Sequence, residues 1–146
     1  MPGRECAFCR IVDGSVPAEL VLSDERFVAF LDHRPLFQGH CLVVPRVHHE
    51  TLADLPGELI GDLFGQVRSL ALAVERALEA EGSFVAINNR VSQSVPHLHV
   101  HVVPRRKGDG LKGFFWPRTR YRDAAQAAET AERIRAALAQ VLLANP

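Results

Sequence analysis

The 146-residue sequence has little excess charge, few cysteines and no long apolar run, and each of these scarcities excludes a class of protein. Lys and Arg together number 17, as do Asp and Glu, so a broad basic surface for nucleic acid or an anionic membrane is not expected. No apolar stretch approaches the roughly 18 residues that span a bilayer, and the first residues do not resemble a signal peptide. We therefore expect a cytoplasmic protein without a nucleic-acid or membrane partner.

Three cysteines are too few, and odd in number, for a secreted disulfide framework. Cys6 and Cys9 form a Cys-x-x-Cys pair, a spacing that suits one zinc ion, and histidines lie downstream. A thioredoxin-like redox pair is the alternative, but such a pair begins a helix directly after a strand, and the pattern around it does not predict that context. Cys41 lies in a predicted strand and is expected to be an inert core thiol.

The apolar pattern predicts an α+β protein with one domain over residues 1–146. Short apolar runs bounded by Asp, Gly or Pro predict buried strands, and two longer segments with helical periodicity predict helices. The predicted strands are 28–31, 41–44, 84–88 and 97–104, and the predicted helices run from residue 54 or 55 to a stop at Gly82 and from 123 to 144. This order indicates a mainly antiparallel sheet with one long central helix and a C-terminal helix.

Histidines alternate with apolar residues in one strand-length run of the second half. On an extended backbone successive side chains face opposite sides, so His97, His99 and His101 are predicted to line one face while Leu98 and Val100 enter the core. Alternate side chains lie about 6.5–7 Å apart, so each imidazole can meet a different part of one ligand. Two chemistries stay open: imidazoles that gather a metal ion such as zinc, or one neutral ring that attacks phosphorus.

This run, preceded by Ser92-Gln93-Ser94-Val95, resembles the signature of the histidine triad (HIT) family of nucleotide hydrolases and transferases. Further motifs in the same order are similar to that family's N-terminal landmarks: Cys6 to Val12, Val16-Pro17, Phe30-Leu31-Asp32, Gly39-His40 and Val44 to His48. The resemblance covers about residues 5–106 and is strongest with the Hint-like bacterial branch that carries an N-terminal Cys-x-x-Cys. It implies a HIT-like fold and a homodimer. The implied reaction releases a nucleoside monophosphate such as AMP from a phosphoramidate, an acyl or sulfo nucleotide, or a dinucleoside polyphosphate.

The resemblance also implies a role for each residue around the histidine row. His99 corresponds to the nucleophile that forms a nucleotidyl-histidine intermediate, which requires its other ring nitrogen to donate a hydrogen bond. His101 and Ser94 correspond to residues that contact the phosphate, and His40 to a histidine beside the triad; these four form the expected catalytic set. The residues expected to bind substrate are Asp32 at the ribose, Asn88 or Asn89 near the phosphate, Gln93, and Phe8, Ile11, Val16, Phe30 and Leu31 around the base.

In relatives of this branch the zinc ligands correspond to Cys6, Cys9, His48 and His97. The resemblance thus implies a structural zinc, because four protein ligands leave no open position for a water molecule. Such an ion would tie the N-terminal segment to the histidine row and orient His99 indirectly. No organic cofactor is implied. The residue directly after His48 is also a histidine and is a competing ligand: His49.

The loop before the histidine row departs from the family. Relatives commonly carry glycines there, whereas residues 88–92 read Asn-Asn-Arg-Val-Ser, about two residues shorter and without glycine. The leaving-group preference therefore stays open. Two other functions also stay open: a zinc-dependent hydrolase that uses the histidine row as ligands, which chelation would abolish, and a purine-nucleotide or protein-binding module without significant turnover.

Overall fold

The computed structural model describes residues 5–111 and 119–144 of the chain. The chain divides into two compact units, the first ending at Asp109 and the second beginning at Gly110. Among the described helices, none is both long enough and apolar enough to cross a bilayer. The interpretation of residues 1–146 as a single HIT domain stays a prediction.

Five strands and two α-helices make up the described part of the first unit. They are α1 (Ala7–Val12), β1 (Leu20–Ser23), β2 (Phe27–Leu31), β3 (Cys41–Pro45), α2 (Gly57–Ala77), β4 (Gly82–Ala86) and β5 (Val100–Arg105), with a 3₁₀ turn at Leu52–Asp54. All strand pairs are antiparallel, in the order β1-β2-β3-β5-β4. The α+β class, the antiparallel sheet and the long helix are thus confirmed, while α1 and β1 are elements that the apolar pattern does not predict.

Helix α2 covers one face of the sheet and forms the main core with it. Its buried residues recur at helical spacing, as the periodicity predicts, and are Leu63, Val67, Leu70 and Val74. Each such side chain contributes about 1.5–3 kcal/mol when it is fully buried. The helix ends at Ala77, earlier than the predicted stop at Gly82, because the chain turns at Glu79 with a φ of 52° and Gly82 already begins β4.

The opposite face of β2 and β3 holds a second apolar cluster, to which α1 contributes Phe8. Both faces of these two strands are therefore buried, and this explains their continuous apolar runs. The members of this second cluster are Cys6, Phe8, Val28, Phe30, Leu42 and Val44.

Strand β5 begins at Val100, three residues later than predicted. The preceding residues bond elsewhere: the Leu98 N–H donates to the carbonyl of His49 at 2.7 Å instead of joining the sheet. The predicted alternation nevertheless holds, since Leu98 and Val100 lie fully buried in the main core. The histidines, on the alternate positions, project to the face that carries α1.

The second unit contains α3 (Ala124–Ala144), which confirms the predicted C-terminal helix. Asp123 stands directly before it, and its carboxylate accepts a hydrogen bond from the Gln126 N–H at 2.8 Å, an interaction typical of a helix N-terminus. The apolar stripe predicted on this helix, represented by Ile134 and Leu138, is largely exposed.

Candidate active site

A cavity of about 830 Å³ opens in the first unit, on the face of the sheet that carries α1. This volume lies in the range of sites that bind small molecules. Nine of the residues expected from the sequence to form the site line it: Phe8, Ile11, Val16, Phe30, Leu31, Asp32, Ser94, His99 and His101. The apolar members lie on α1, β2 and the segment between α1 and β1, so three separate stretches of chain form the wall.

His99 is buried, with 3% of its surface exposed, and its ring lines the cavity. Its Nδ1 lies 2.7 Å from the backbone carbonyl of His97. A carbonyl only accepts, so Nδ1 carries the proton of the neutral ring and Nε2 keeps its lone pair. Phe8 packs against the ring nearly at right angles, with the two centroids 5.0 Å apart, and limits its rotation.

His40 and His101 are linked in a way that assigns the proton on each ring. The Leu36 N–H donates to Nδ1 of His40 at 3.0 Å, so this nitrogen is an acceptor and the proton of His40 sits on Nε2. That Nε2 lies 2.9 Å from Nδ1 of His101 and donates to it. Nδ1 of His101 is therefore an acceptor as well, and the neutral His101 ring carries its proton on Nε2.

The electrostatics of the cluster agree with these assignments. Burial above all, together with the neighbouring rings of His99 and His40 and against the carboxylate of Asp32, lowers the pKa of His101 to about 4. Burial also lowers the pKa of His40, again against the opposing carboxylate of Asp32. Both rings are thus neutral at pH 7, as the hydrogen bond from the Leu36 amide requires.

Gly39 places His40 beside the histidine row. Its φ is +97°, a left-handed backbone conformation that favours glycine. A Cβ atom at this position would also overlap the side chain of Leu78. The chain therefore depends on glycine here to enter β3 with the His40 ring turned toward His101.

Asp32 follows β2 and lines the cavity with a carboxylate whose two oxygens differ in their surroundings. Oδ1 accepts the Arg34 N–H at 2.9 Å, which holds the side chain in place. Oδ2 lies 3.7 Å from Nε2 of His40. An ionised carboxylate accepts hydrogen bonds only, so this group suits ligand hydroxyls.

Three predicted binding residues do not line the cavity: Asn88, Asn89 and Gln93. Asn89 instead accepts the Leu52 N–H at 2.9 Å. The Gln93 side chain accepts the Arg90 N–H at 2.8 Å and donates to the carbonyl of Glu50 at 2.6 Å. The side chains of Asn89 and Gln93 therefore hold the loop onto residues 50–52.

The glycine-free loop adopts left-handed backbone at two positions, Arg90 with a φ of 68° and Ser92 with a φ of 61°. Such conformations cost of order 1–3 kcal/mol each in a residue with a side chain. The two hydrogen bonds of Gln93 offset part of this cost. The loop thus reaches its turn without the glycines that relatives commonly carry.

The cavity wall also holds four polar residues that the sequence does not assign to the site, namely Arg10, Glu19, His33 and Arg34. Arg10 and Glu19 lie on or next to α1 and β1, the two unpredicted elements, so no pattern placed them near the histidine row. Arg34 lies two residues beyond Asp32, and only the turn after β2 brings it to the wall.

A second group of potential ligands lies beside the cavity and consists of Cys6, Cys9, His48 and His97. Their ligand atoms all lie within 4.8 Å of one another. Nδ1 of His97 is 3.5 Å from both sulfurs, and Nδ1 of His48 is 3.3 Å from the Cys9 sulfur. Zn–S bonds of about 2.3 Å and Zn–N bonds of about 2.0 Å in a tetrahedron put S and N roughly 3.5 Å apart. These four residues therefore fit a zinc ion.

The protonation of this group also fits a metal ion. Nε2 of His97 donates to the carbonyl of Pro45 at 2.8 Å, which leaves the lone pair of Nδ1 directed at the sulfurs. Burial raises the pKa of the Cys9 thiol to about 11, and the adjacent Cys6 adds to this effect. A bound cation would reverse that preference, since it stabilises the thiolates. His49 does not belong to the group, which favours His48 as the ligand.

Asp32, His40 and His101 form another cluster with ligand atoms within 4.8 Å. The hydrogen bonds argue against a metal ion there. Nε2 of His40 carries a proton as long as the Leu36 N–H points at Nδ1, so this nitrogen has no lone pair to offer. The cluster is instead a chain of hydrogen bonds that ends at the Nε2–H of His101.

The antiparallel sheet thus places His99 and His101 at the cavity, beside a Cys/His group whose geometry fits a zinc ion. The sequence matches the HIT domain over residues 13–108, and the chain belongs to the HIT domain family. An uncharacterised HIT-like protein of Mycobacterium tuberculosis is 37% identical over 140 residues, which cover 92% of this chain and 94% of that protein. The protein named hit of Bacillus subtilis is 39% identical over 116 residues, 77% of this chain and 79% of its own.

Solved structures show the same fold. A Streptococcus mutans protein superposes with a TM-score of 0.84 at 32% identity, covering 92% of this chain and 85% of its own. A zinc-bound histidine triad protein of Mycobacterium smegmatis gives a TM-score of 0.71 at 38% identity and covers 98% of this chain and 99% of its own.

Two relatives have names that state an activity. An adenosine 5′-monophosphoramidase of Candida albicans is 30% identical over 77% of this chain and 78% of its own length. An adenylylsulfatase of Arabidopsis thaliana is 29% identical over 74% of this chain and 56% of its own length.

Proposed function

We propose that the protein is a nucleotide hydrolase or nucleotidyl transferase that releases a nucleoside monophosphate, AMP above all, through a covalent intermediate on His99. The observation that carries this proposal is the hydrogen bond from Nδ1 of His99 to the His97 carbonyl, in a ring that lines the cavity. It selects the tautomer in which Nε2 of the neutral ring keeps its lone pair and can act as a nucleophile. The substrates are phosphoramidates, acyl or sulfo nucleotides, or dinucleoside polyphosphates.

In the first step Nε2 of His99 forms a bond to the α-phosphorus, and the bond from phosphorus to the leaving group breaks. The leaving group departs with the electron pair of that bond and takes up a proton. The Nε2–H of His101 donates to an oxygen of the phosphate and stabilises the charge that develops there. Ser94, on the cavity wall, supplies a hydroxyl for a second phosphate oxygen.

In the second step water attacks the same phosphorus and the N–P bond breaks. The attacking water loses one proton to the solvent, the nucleoside monophosphate leaves, and the His99 ring returns to its neutral form. Throughout, the carbonyl of His97 accepts from Nδ1 of His99 and stabilises the positive charge that the ring acquires when Nε2 bonds to phosphorus.

Recognition of the nucleoside rests on the remaining wall of the cavity. The carboxylate of Asp32 accepts hydrogen bonds from the ribose hydroxyls. The apolar side chains of Phe8, Ile11 and Phe30 pack against the base, together with Val16 and Leu31. Purine is the favoured base because an apolar wall stabilises a larger ring more strongly.

The names of the two relatives with a stated activity support this class of reaction. Both names describe cleavage at a phosphorus that carries an adenosine group: in one case a phosphoramidate, in the other an adenylyl sulfate. The altered loop at residues 88–94 separates this chain from the family pattern, so the leaving group is proposed only as a class.

Zinc bound by Cys6, Cys9, His48 and His97 is proposed as a structural ion. It would supply a crosslink between α1 and the segment that carries the histidine row, and it would take no part in the reaction. The residues themselves support this role, since the His97 ring is held by Pro45 and its backbone carbonyl holds His99. A cytoplasmic location accords with the reduced thiols that such a site requires.

A homodimer is proposed as the active form. Strand β4 lies at one end of the sheet, and its outward residue Val85 is 42% exposed. Sheet edges of this kind pair readily with another chain. No nucleic acid or membrane surface is proposed as a partner.

Trapping of the intermediate tests the proposed reaction. The protein is mixed with an adenosine phosphoramidate, denatured in alkali within the first turnover, and digested for mass spectrometry. We expect an adenylyl group on the peptide that contains residue 99, because an adduct of phosphorus with imidazole is labile in acid but survives alkali. His99→Ala is expected to lose the adduct and at least 10³-fold in kcat, whereas His49→Ala, at a histidine outside both the cavity wall and the Cys/His group, is expected to keep the adduct.

The two alternative functions predict different results. A zinc-dependent hydrolase using the histidine row loses all activity on chelation while the protein stays folded, and forms no adduct. A binding module binds AMP in calorimetry but turns over no member of the substrate panel. Full turnover of every substrate by His99→Ala would contradict the covalent route.

A further inference from the structure

Cys6 and Cys9 lie one turn apart at the start of α1. The Arg10 N–H donates to the carbonyl of Cys6 at 3.1 Å, and the Cys9 N–H points at the Cys6 sulfur at 3.5 Å, so both sulfurs face the same side. The two sulfur atoms lie within 4.8 Å of each other. Residues at this spacing have Cβ atoms about 5–6 Å apart, and a disulfide needs about 3.5–4.5 Å. A small local movement therefore suffices to join them.

The sequence argued against a thioredoxin-like redox pair because it did not predict a helix directly after a strand around the Cys-x-x-Cys motif. The structure supplies the helix, since Cys6 directly precedes α1. Among the described residues no strand precedes it, so the site is not thioredoxin-like, and a redox role rests on the positions of the two sulfurs. The third cysteine has different surroundings. Cys41 is buried in the main core, where its S–H donates to the carbonyl of Gly39.

We propose that Cys6 and Cys9 form a reversible redox site that zinc protects from oxidation. The metal-bound sulfurs resist oxidation, whereas in the metal-free protein a hydroperoxide converts them to a disulfide. The inference rests on the zinc site proposed above. Coordination lowers the reactivity of both sulfurs because their lone pairs bind the metal, and the disulfide in turn cannot supply two thiolate ligands.

The oxidation is a two-electron reaction in two steps. Nδ1 of His48, 3.3 Å from the Cys9 sulfur, accepts the thiol proton as Cys9, the more exposed of the pair, attacks one oxygen of the hydroperoxide. The O–O bond breaks, a sulfenic acid forms on Cys9, and the proton passes to the departing oxygen, which leaves as an alcohol or, from hydrogen peroxide, as water. Cys6 then attacks the Cys9 sulfur, the S–O bond breaks, and water leaves with the thiol proton of Cys6.

Oxidation of Cys6 and Cys9 also affects the histidine row, because His97 contacts both sulfurs and His99. Nδ1 of His97 lies 3.5 Å from both sulfurs, and its carbonyl holds the proton of His99. Oxidation removes both sulfurs as zinc ligands, so the His97 side chain keeps only its bond to Pro45. A change in the sulfurs therefore alters the support of the proposed nucleophile.

Mass spectrometry of the full chain tests the inference. Trypsin cuts after Arg4 and Arg10, so one short peptide carries both Cys6 and Cys9 and a different peptide carries Cys41. Zinc-loaded protein and protein stripped with a chelator are exposed to the same low concentration of hydrogen peroxide, with Cys41→Ser as the matched control. We expect the stripped protein to lose two hydrogens from peptide 5–10 at least tenfold faster than the loaded protein. Dithiothreitol is expected to restore the thiols and the uptake of zinc.

Each result bears on the inference. Cys6→Ser is expected to stop at the sulfenic acid or its higher oxides on Cys9, without a disulfide in the peptide, while Cys41→Ser behaves as the parent chain. A stripped protein that binds zinc again but forms no disulfide overturns the redox site alone. Equal rates of disulfide formation with and without zinc would contradict the protection by zinc. A protein that takes up no zinc would contradict both the zinc site and the protection, whatever the outcome for the nucleotide reaction.

Discussion

Nε2 of His40 donates to Nδ1 of His101 across 2.9 Å, and the Leu36 amide fixes the direction of that hydrogen bond. The two interactions place the His101 proton on Nε2, on the ring that lines the cavity. His40 is therefore a positioning residue that acts through its neighbour.

Substitution of His40 tests this relationship. His40→Phe preserves the burial but removes the donor, so His101 is free to place its proton on either nitrogen. We expect kcat to fall about 10–100-fold with little change in KM, the range typical for the loss of a supporting hydrogen bond. His40→Gln, which retains an amide N–H donor, is expected to recover part of the rate. Equal losses in the two variants would indicate a purely steric role.

The stability of the fold is expected to fall as the pH is lowered from about 7 toward 4. Burial lowers the pKa of His40, and that of His101 to about 4, below the value of about 6.5 in an unfolded chain. Between these values the unfolded state binds more protons, so stability rises with pH and is lost as the buried rings are protonated.

Urea unfolding at several pH values measures this dependence. A single such group contributes at most about 1.4 kcal/mol per pH unit to the slope. His101→Gln is expected to reduce the slope of the free energy of unfolding against pH below pH 6 relative to the parent chain. Because both proteins share the other titrating groups, the difference between the two slopes reports on His101. An unchanged slope would mean that His101 titrates normally.

Asp32 is expected to decide the preference for ribose. Asp32→Asn keeps an oxygen for the Arg34 N–H but replaces a charged acceptor for the ribose hydroxyls. A hydrogen bond to a charged group contributes about 1.5–3 kcal/mol, so kcat/KM for a ribonucleotide is expected to fall about 10–100-fold. For the 2′-deoxy substrate kcat/KM is expected to fall less, so the measurement is the ratio of kcat/KM for the two substrates in each protein. An equal loss for both substrates would indicate that Asp32 acts only by supporting the folded structure.

Removal of zinc is expected to lower the melting temperature of the protein. The proposed ion would crosslink α1 to the segment before β5 through ligands from both, and its binding free energy would then add to the stability of the folded state. Thermal unfolding with and without a chelator measures the effect. Cys9→Ser is expected to melt near the temperature of the stripped protein and to be insensitive to chelation, and Cys41→Ser is expected to keep the response to chelator.

Local pattern was sufficient for much of this protein. The alternation around His99 placed the imidazoles and the apolar residues on opposite sides, because the period of an extended chain is a local property of the backbone. The periodicity of residues 59–78 likewise predicted α2. Helix α1 escaped prediction because six residues are too few to show a period, and β1 escaped because its side chains are largely exposed.

What the tertiary structure alone decided is the state of each imidazole. Nothing in the order of residues pairs the Leu36 amide with His40, the Pro45 carbonyl with His97, or the Glu50 carbonyl with the Gln93 side chain of the loop that the family resemblance left open. Leu36 and His40 meet through the turn between β2 and β3, and the other two pairs join segments that are far apart in the sequence and meet only when the protein folds. A ring nitrogen acquires or loses its proton according to the group it faces, so composition and spacing could name the histidines but not their protonation.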